Sequence, residues 1–413
     1  MKPKTYYEKL ERFFIVSTFL VLALLLSTNN GSVVIAGLSV LISILALFKI
    51  KDKIKWDNTD KLVLLCLSAY TFSNIPLFLL DWGNFRYFRG ASRILLCIPI
   101  YIVLKHIIDT KKIYNQSLSL GVFSGSLGAF SIALYQHFIE GRVRVDGFLF
   151  SINFGYLACS LAVLSLALLH NKSLRILLTA SFVLSTIATL LTLTRGAIFA
   201  LVLVVIFMAI INIKKIGLKG SLASCCFVLA FAVLSYTVSP SIKQRVNYTV
   251  YEITNIANGH IEQATSSGGR LLLWRAAFEA FKERPLFGLT HPEREALNKK
   301  LADEGVINEW AAGIKRGHAH SQYFDQLASG GILGLFSILF TIVVPFGYFF
   351  KYREKSDAAY VGCLFVFSFA LFCLTEVALQ QNLISTFYGY MLALFFAVTQ
   401  LEIRDKIANV EST

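Results

Sequence analysis

The chain has 413 residues, of which 56% are hydrophobic, 14% aromatic and 15% charged, and its mean hydropathy is +0.63. These values lie outside the range of water-soluble globular domains, so water is not the main solvent of this protein. The formal net charge of +14 is carried by loops whose sidedness fixes a topology, and no nucleic-acid partner is expected.

Apolar runs of roughly 16 to 22 residues recur from Phe13 to Leu401. Each is long enough, or nearly so, for the ~30 Å hydrocarbon layer, where only helices or closed barrels satisfy the backbone. Period-2 alternation is absent, which predicts an all-α polytopic membrane protein. Lys2, Lys4, Lys9 and Arg12 precede the first run, Phe13 to Leu26, much as in a secretory signal. No small-x-small cleavage site follows and Ser27 to Gly31 reads as a turn, so this segment is expected to be retained as a span.

The predicted spans are about 13–28, 32–49, 61–80, 91–108, 116–138, 149–170, 174–194, 196–213, 219–238, 327–350, 357–376 and 383–401. These twelve put both termini on one side. Lys49, Lys51, Lys53 and Lys55, then Lys105, Lys111 and Lys112, Lys172 and Arg175, Lys214, Lys215 and Lys219, and Lys351, Arg353 and Lys355 all fall on that side, so the positive-inside rule makes it cytoplasmic. The chain divides accordingly into nine spans over 1–238, an outer segment with amphipathic helices over 239–326, and three spans with a short cytoplasmic tail over 327–413. All seven cysteines lie in apolar runs, at Cys66, Cys97, Cys159, Cys225, Cys226, Cys363 and Cys373, and read as small core residues.

The outer side is basic too, and its short loops are basic through arginine alone. Arg86, Arg89 and Arg93 follow the third span, Arg142 and Arg144 the fifth, and Arg195 the seventh; the long segment adds Arg245, Arg270, Arg275, Arg284, Arg294 and Arg316. A solvated lysine suffices for topology, whereas the planar guanidinium matches phosphate or carboxylate bidentately and keeps its charge when partly desolvated. Individual arginines could equally contact lipid headgroups or pair with Asp81, Glu140 and Asp146. As a set they predict an anionic ligand, such as a lipid-linked diphosphate, at the outer membrane boundary.

Three motifs carry the chemistry. The first is Thr192-Leu193-Thr194-Arg195-Gly196-Ala197, an arginine at the outer end of a tight hydrophobic hairpin, either snorkelling or part of a site. The second is Ser266-Ser267-Gly268-Gly269-Arg270, followed by a helix whose apolar stripe is Leu271, Trp274, Phe278 and Phe281 and which ends before Pro285. Ser267 or its neighbour is expected to cap it, the free N–H groups of the first turn joining Arg270 in an anion site, with the stripe turned into the membrane surface. The third runs from His318 through His320 and Ser321 to Gly331 and Gly334. On a helix, positions 320, 324, 327, 331 and 334 share a face at ~100° per residue, which puts the glycines below His320. His320 is the expected proton acceptor, ahead of His318. No metal is expected, because an i,i+2 histidine pair on a helix diverges and no third ligand stands at metalloenzyme spacing. Asp325, ~140° around such a helix, is given no orienting role.

His320-Ser321, nine residues, then Gly331-x-x-Gly334 resembles the His-[Asn/Ser/Gln]-x9-Gly-x-x-Gly signature of the O-antigen ligase and polymerase superfamily. The turn at Arg195 and the Gly-Gly-Arg…Trp helix at Arg270 and Trp274 are similar to its two other marked sites. Pro285-Leu286-Phe287-Gly288 resembles its Pro-x-x-Gly-x-Gly stretch, except that Thr290 replaces the second glycine.

The resemblance implies a GT-C type membrane fold in the bacterial inner membrane that transfers a glycan from undecaprenyl diphosphate on the periplasmic face, without metal or cofactor. His320, Arg195 and Arg270 would be catalytic, the diphosphate would meet Arg195, Arg270, Arg142, Arg144 and Arg86, and His318, Trp274, Ser321, Gly331 and Gly334 would be secondary. Ligases of this kind use a lipid A-core acceptor, polymerases extend the repeat on its carrier, and related oligosaccharyltransferases modify protein. Those last commonly carry a larger domain after the last span, so the end at Thr413 favours the ligase. A lipid-linked oligosaccharide flippase is the non-enzyme alternative, though charges near the midplane and repeated halves are absent from the sequence.

Overall fold

The computed structural model describes residues 4–50, 54, 56–107 and 110–411. Lys2, Lys51, Lys53, Lys55 and Thr413 lie outside the described residues, as do the side chains of Lys4, Lys111, Lys112 and Cys225. Every regular element among the described residues is helical. In chain order they are α1 (Lys4–Ala23), α2 (Gly31–Ile50), α3 (Asn58–Ser73), α4 (Ile75–Leu80), α5 (Ala91–Leu95), α6 (Ile98–Ile107), α7 (Thr110–Leu134), α8 (Ser151–Ala167), α9 (Arg175–Leu191), α10 (Arg195–Ile211) and α11 (Ile213–Val238). There follow α12 (Pro240–Ala257), α13 (Ser267–Glu283), α14 (His291–Asp303), α15 (Glu309–Ala312), α16 (Gln322–Ile338), α17 (Val344–Tyr352), α18 (Asp357–Thr375) and α19 (Asn382–Glu411).

Among the described residues, eight stretches are long and apolar enough to cross a membrane: Gly31–Ile50, Asn58–Leu80, Ser117–Ile139, Ser151–His170, Lys172–Leu191, Gln322–Tyr352, Asp357–Thr375 and Asn382–Ala408. Each coincides with a predicted span, and the chain is a multi-pass membrane protein. The other four predicted spans meet different fates. The first begins earlier, at Lys4, and carries its charges on the helix. The fourth is two short helices, because Pro99 at the second position of α6 cannot donate to the turn before it. The eighth is α10, at 17 residues a shorter apolar helix. The ninth lies in α11, which kinks where Gly217 takes φ +69°.

α8, α18 and α19 are buried over most of their length and form the centre of the bundle. Phe365, Phe369, Phe372, Phe387, Tyr388 and Phe395 interlock there, with ring centroids 4.7 to 6.4 Å apart. The outer helices expose large apolar side chains, among them Phe48, Leu79, Ile176, Phe199 and Leu229. Burial in lipid removes the penalty such a surface would meet in water. Cys66, Cys97, Cys159, Cys363 and Cys373 are buried, but Cys226 is exposed and is not a core residue.

Between α11 and α16 the chain builds a second, smaller core from Leu273, Ala276, Ala277, Ala280, Leu297 and Leu301, with Ala319 and Ala328 closing it from the histidine segment and α16. α13 therefore buries the face of Leu273, Ala276, Ala277 and Ala280 against the protein, while Phe278 of the expected membrane-facing stripe stays exposed. Small residues win the inward face at its start because neighbours approach closely: a Cβ at Gly268 would run into the Ile261 carbonyl and one at Gly269 into the Trp310 ring.

α16 is a broken helix. Gly331 takes φ +55°, ψ −138°, freeing backbone groups that the loop after α13 satisfies: Ile332 N–H donates to Pro285 O at 2.7 Å and Leu289 N–H to Ala328 O at 2.8 Å. A Cβ at Gly331 would collide with the Pro285 carbonyl, and one at Gly288 with the Ser329–Gly330 peptide. These glycines dock the 285–289 strap onto α16, and Gly334 packs on the Gln326 backbone; neither Gly331 nor Gly334 lies under His320, as the helical wheel had placed them. Thr290, where the family's second glycine is expected, caps α14 in a reciprocal box with Glu293.

Candidate functional site

His318 and His320 sit before α16, not on it. The helix starts at Gln322, with Ser321 at its N-cap position. His320 has φ +47°, a left-handed backbone that costs about 1–3 kcal/mol in a non-glycine residue and persists only where its surroundings enforce it. The enforcing contacts are visible. Buried Arg294 pairs with Asp325 at 3.0 Å, bonds Ser329 at 2.6 Å and reaches the Gly317 carbonyl, while Asp325 accepts Ala319 N–H at 3.1 Å. The Trp274 indole donates to Ala319 O at 3.1 Å and its ring stacks on Phe324 at 4.7 Å. Both ends of the histidine segment are thus pinned, one by Arg294 and one by α13.

Held this way, the two imidazoles converge, edge to face, with centroids 4.5 Å apart. Between them lies Glu376, in the turn after α18: His318 Nε2 is 3.2 Å from Oε1 and His320 Nδ1 is 3.0 Å from Oε2. Burial pushes the Glu376 carboxyl up, but the His320 hydrogen bond, the attraction of the two imidazoles and the Val377 N–H outweigh it, so Glu376 lies below its ordinary value and is ionised at neutral pH. Burial in turn lowers His318, which is neutral there.

A carboxylate only accepts, so the network assigns protons to His318 Nε2 and His320 Nδ1. His318 Nδ1 is then the acceptor for His320 N–H at 3.3 Å. That leaves His320 Nε2 as the ring nitrogen placed to accept a proton, as a general base must.

A cationic group stands beside this triad. Gly196 abuts the Thr375 hydroxyl and Tyr156, whose own hydroxyls are 2.7 Å apart. The preceding residue, Arg195, pairs with fully buried Glu252 at 2.6 Å and bonds Ser266 at 2.7 Å. Glu252 also accepts Ser266 N–H at 2.6 Å and Ser267 N–H at 3.1 Å. The anion at the start of α13 is therefore the chain's own carboxylate, and the expectation that a serine caps this helix and leaves its first amides free is corrected.

Burial raises the Glu252 carboxyl, and the bonds from Arg195, Ser266 and Ser267 more than reverse it, leaving it below its ordinary value. Arg144, which donates to Thr192 O at 3.1 Å, and Arg245 are both lowered by burial and by repulsion from Arg195. Three guanidinium groups thus lie close together, and Arg195 holds the ion pair with Glu252. The buried Nε atoms of Arg245 and Arg270 have no hydrogen-bond partner, and an unmet charged donor is costly to bury.

Below these arginines, α9, α10 and α12 enclose a cavity of about 570 Å³ lined by apolar side chains such as Phe182, Val183, Ile198, Phe199 and Val246, with Arg195 and Arg245 among its walls. A second cavity of about 580 Å³, mostly polar, shares no lining residue with the first and reaches His318.

Residues 180–339 match the O-antigen ligase family model. Over that stretch the chain is similar to the O-antigen ligase-type superfamily. An uncharacterized protein of Haemophilus influenzae is 22% identical over 360 residues, covering 84% of this chain and 88% of that one. The family consists of glycosyltransferase-like enzymes, ligases and polymerases, and a membrane-embedded member implies lipid-linked glycan substrates.

The matched segment contains Arg195, Arg270, Trp274, His318, His320, Ser321 and Gly331. The structure groups Arg195, Arg144 and the α13 start carrying Arg270 around Glu252, and the two histidines around Glu376. Arg142 is not in this group: Glu140 at 2.6 Å and Asp146 at 2.5 Å take up its guanidinium. Arg86 lines the polar cavity instead. Ser321 bonds the Cys373 carbonyl and so supports the fold of the segment.

Sequence reasoning missed Glu376, Glu252 and the part played by Arg245. It also judged the histidines divergent, which holds on a helix and fails on this bent segment. His318, His320 and Glu376 bring their ligand atoms within 4.8 Å of one another, a donor set that zinc accepts. In the arrangement described, both carboxylate oxygens are occupied by imidazole N–H groups, and a cation would have to displace those protons.

Proposed function

We propose that the protein is an O-antigen ligase of GT-C type that transfers a glycan from undecaprenyl diphosphate to the lipid A-core oligosaccharide on the periplasmic face of the inner membrane. The observation that carries this reading is the pairing of a Glu376-oriented His320 with an arginine group whose buried donors are unmet, above an apolar groove. The groove suits a polyprenyl tail, and the arginines suit the diphosphate at its head.

In this mechanism an acceptor hydroxyl attacks the anomeric carbon as the carbon–oxygen bond to the diphosphate breaks. The hydroxyl proton passes to His320 Nε2, and Glu376 stabilises the resulting imidazolium. Charge accumulates on the departing lipid diphosphate, where Arg270, Arg245, Arg195 and Arg144 meet it. Attack opposite the leaving group inverts the anomeric centre. Neutralisation by guanidinium groups and proton transfer to imidazole need no metal. Preorganised cations in a partly desolvated cleft act mainly on the transition state.

The polar segment 239–326 would form the periplasmic cover of this site, and all twelve spans would cross. Arg195→Ala, Arg270→Ala and His320→Ala, compared at matched membrane levels, should each lower glycan transfer by on the order of 10² or more. Wild-type transfer in all three would defeat the mechanism. A polymerase of the same superfamily would share these losses, so the acceptor product separates the two.

A further inference from the structure

The polar cavity is not explained by donor binding. Its walls include the guanidinium groups of Arg86, Arg89 and Arg316, and no Asp or Glu lines it among the described residues. Those three side chains make no ion pair or hydrogen bond among the described residues, and all three are exposed. Behind them the wall is unsaturated. His291 Nδ1 and Asn382 Oδ1, both lining residues, are buried without a hydrogen-bond partner. Burial lowers His291 to about 4, so at neutral pH its ring is uncharged. That ring stacks on Tyr87 at 4.3 Å and 19°, and its backbone N–H is fixed to the Tyr87 hydroxyl at 2.8 Å.

The position of the cavity narrows its occupant. It reaches His318, a member of the triad, and shares no lining residue with the apolar groove, which meets Arg195. A displacement needs the nucleophile to enter by a path other than the one the leaving group occupies, so the polar cavity is the approach for the incoming hydroxyl. A cavity with unmet hydrogen-bonding atoms, a flat aromatic pair and three unpaired cations fits a saccharide that bears negative charge.

We infer that this cavity is the acceptor subsite and that Arg86, Arg89 and Arg316 select an acceptor saccharide carrying an anionic group, phosphate or carboxylate. The inference rests on the transfer reading above for the word acceptor, though not for the anion selectivity.

The test uses the full chain in lipid nanodiscs and two soluble probes: a phosphorylated core oligosaccharide containing acidic sugars, and the same material after chemical dephosphorylation. The proteins are wild type, Arg89→Ala, Arg316→Ala and Arg89→Lys. Each alanine variant is expected to bind the phosphorylated probe about tenfold or more weakly than wild type, with Arg89→Lys in between. If wild type also loses affinity on dephosphorylation, the selected group is phosphate. If wild type holds both probes equally while the alanine variants weaken on both, it is the sugar carboxylate. Wild type binding neither probe, or variants indistinguishable from wild type, would overturn the inference. Transfer assayed on the same samples separates the two claims: selective binding without transfer leaves the subsite standing and removes the ligase reading, while transfer with unselective binding does the reverse.

Discussion

Glu376 is the residue on which the site turns. It is the only charged residue between Asp357 and Glu402, and an isolated carboxylate between apolar spans is a functional candidate by its cost alone. That signal was present in the sequence. What the sequence lacked was the partner, because His320 lies 56 positions away and only the packing of α16 on α18 brings them together. Replacing Glu376 by Gln keeps the size and removes the charge that fixes the His320 tautomer and would stabilise its imidazolium. The expected result is a kcat lowered by about 10² or more with the donor KM little changed, and an unaltered kcat would remove the orienting role.

His291 gives a second test at this scale. Its folded value, about 4, lies below the ordinary 6.5 because burial, aided by Arg294 and Arg316, opposes its charge more than Asp325 and Asp81 favour it. As pH falls from about 6.5 towards about 4, the unfolded imidazole takes up a proton that the folded one refuses, so stability drops across that window. The thermal midpoint of the purified protein should therefore fall more steeply there for wild type than for His291→Gln. Parallel curves would contradict the account.

At the scale of elements, α13 was legible as a helix from its periodicity and its stop before Pro285, but its inward face and its cap were not. Face assignment weighs bulk, and here the small residues Gly268, Gly269, Ala276, Ala277 and Ala280 are the buried ones. The cap comes from Glu252, on another helix, which no local pattern can announce. The same long-range logic explains the broken α16: a helical wheel assumes continuity through Gly331, and the strap at 285–289 supplies the partners that make the break affordable. Glu252→Ala should fray the start of α13 and unseat Arg195 together. Hydrogen exchange of the amides at 266–270 is expected to quicken, and protection equal to wild type would show that the carboxylate is not the cap.

For the whole molecule, composition and run length made the membrane class and eight of the spans readable. Marginal spans such as α10 and the divided α5 and α6 resisted, because length and hydropathy are weak criteria where Pro99 or a tight turn interrupts a run. The order of Arg195, Arg270 and His320 along the chain carried the family, whereas the separation of an apolar groove from a polar cavity needed three dimensions. That separation, with His318 on the wall of the polar cavity and Arg195 on that of the groove, suits the proposed transfer between two substrates better than the single central path of a flippase.

The most direct test is therefore a reconstitution. Purified protein in liposomes, given an undecaprenyl-diphosphate-linked glycan and a lipid A-core acceptor in the presence of EDTA, is assayed for covalent product, with His320→Ala alongside. The account predicts a glycan-bearing acceptor of inverted anomeric configuration from wild type and on the order of 10² less from the variant. Translocation of the donor without any covalent product, or equal product from His320→Ala, would contradict it.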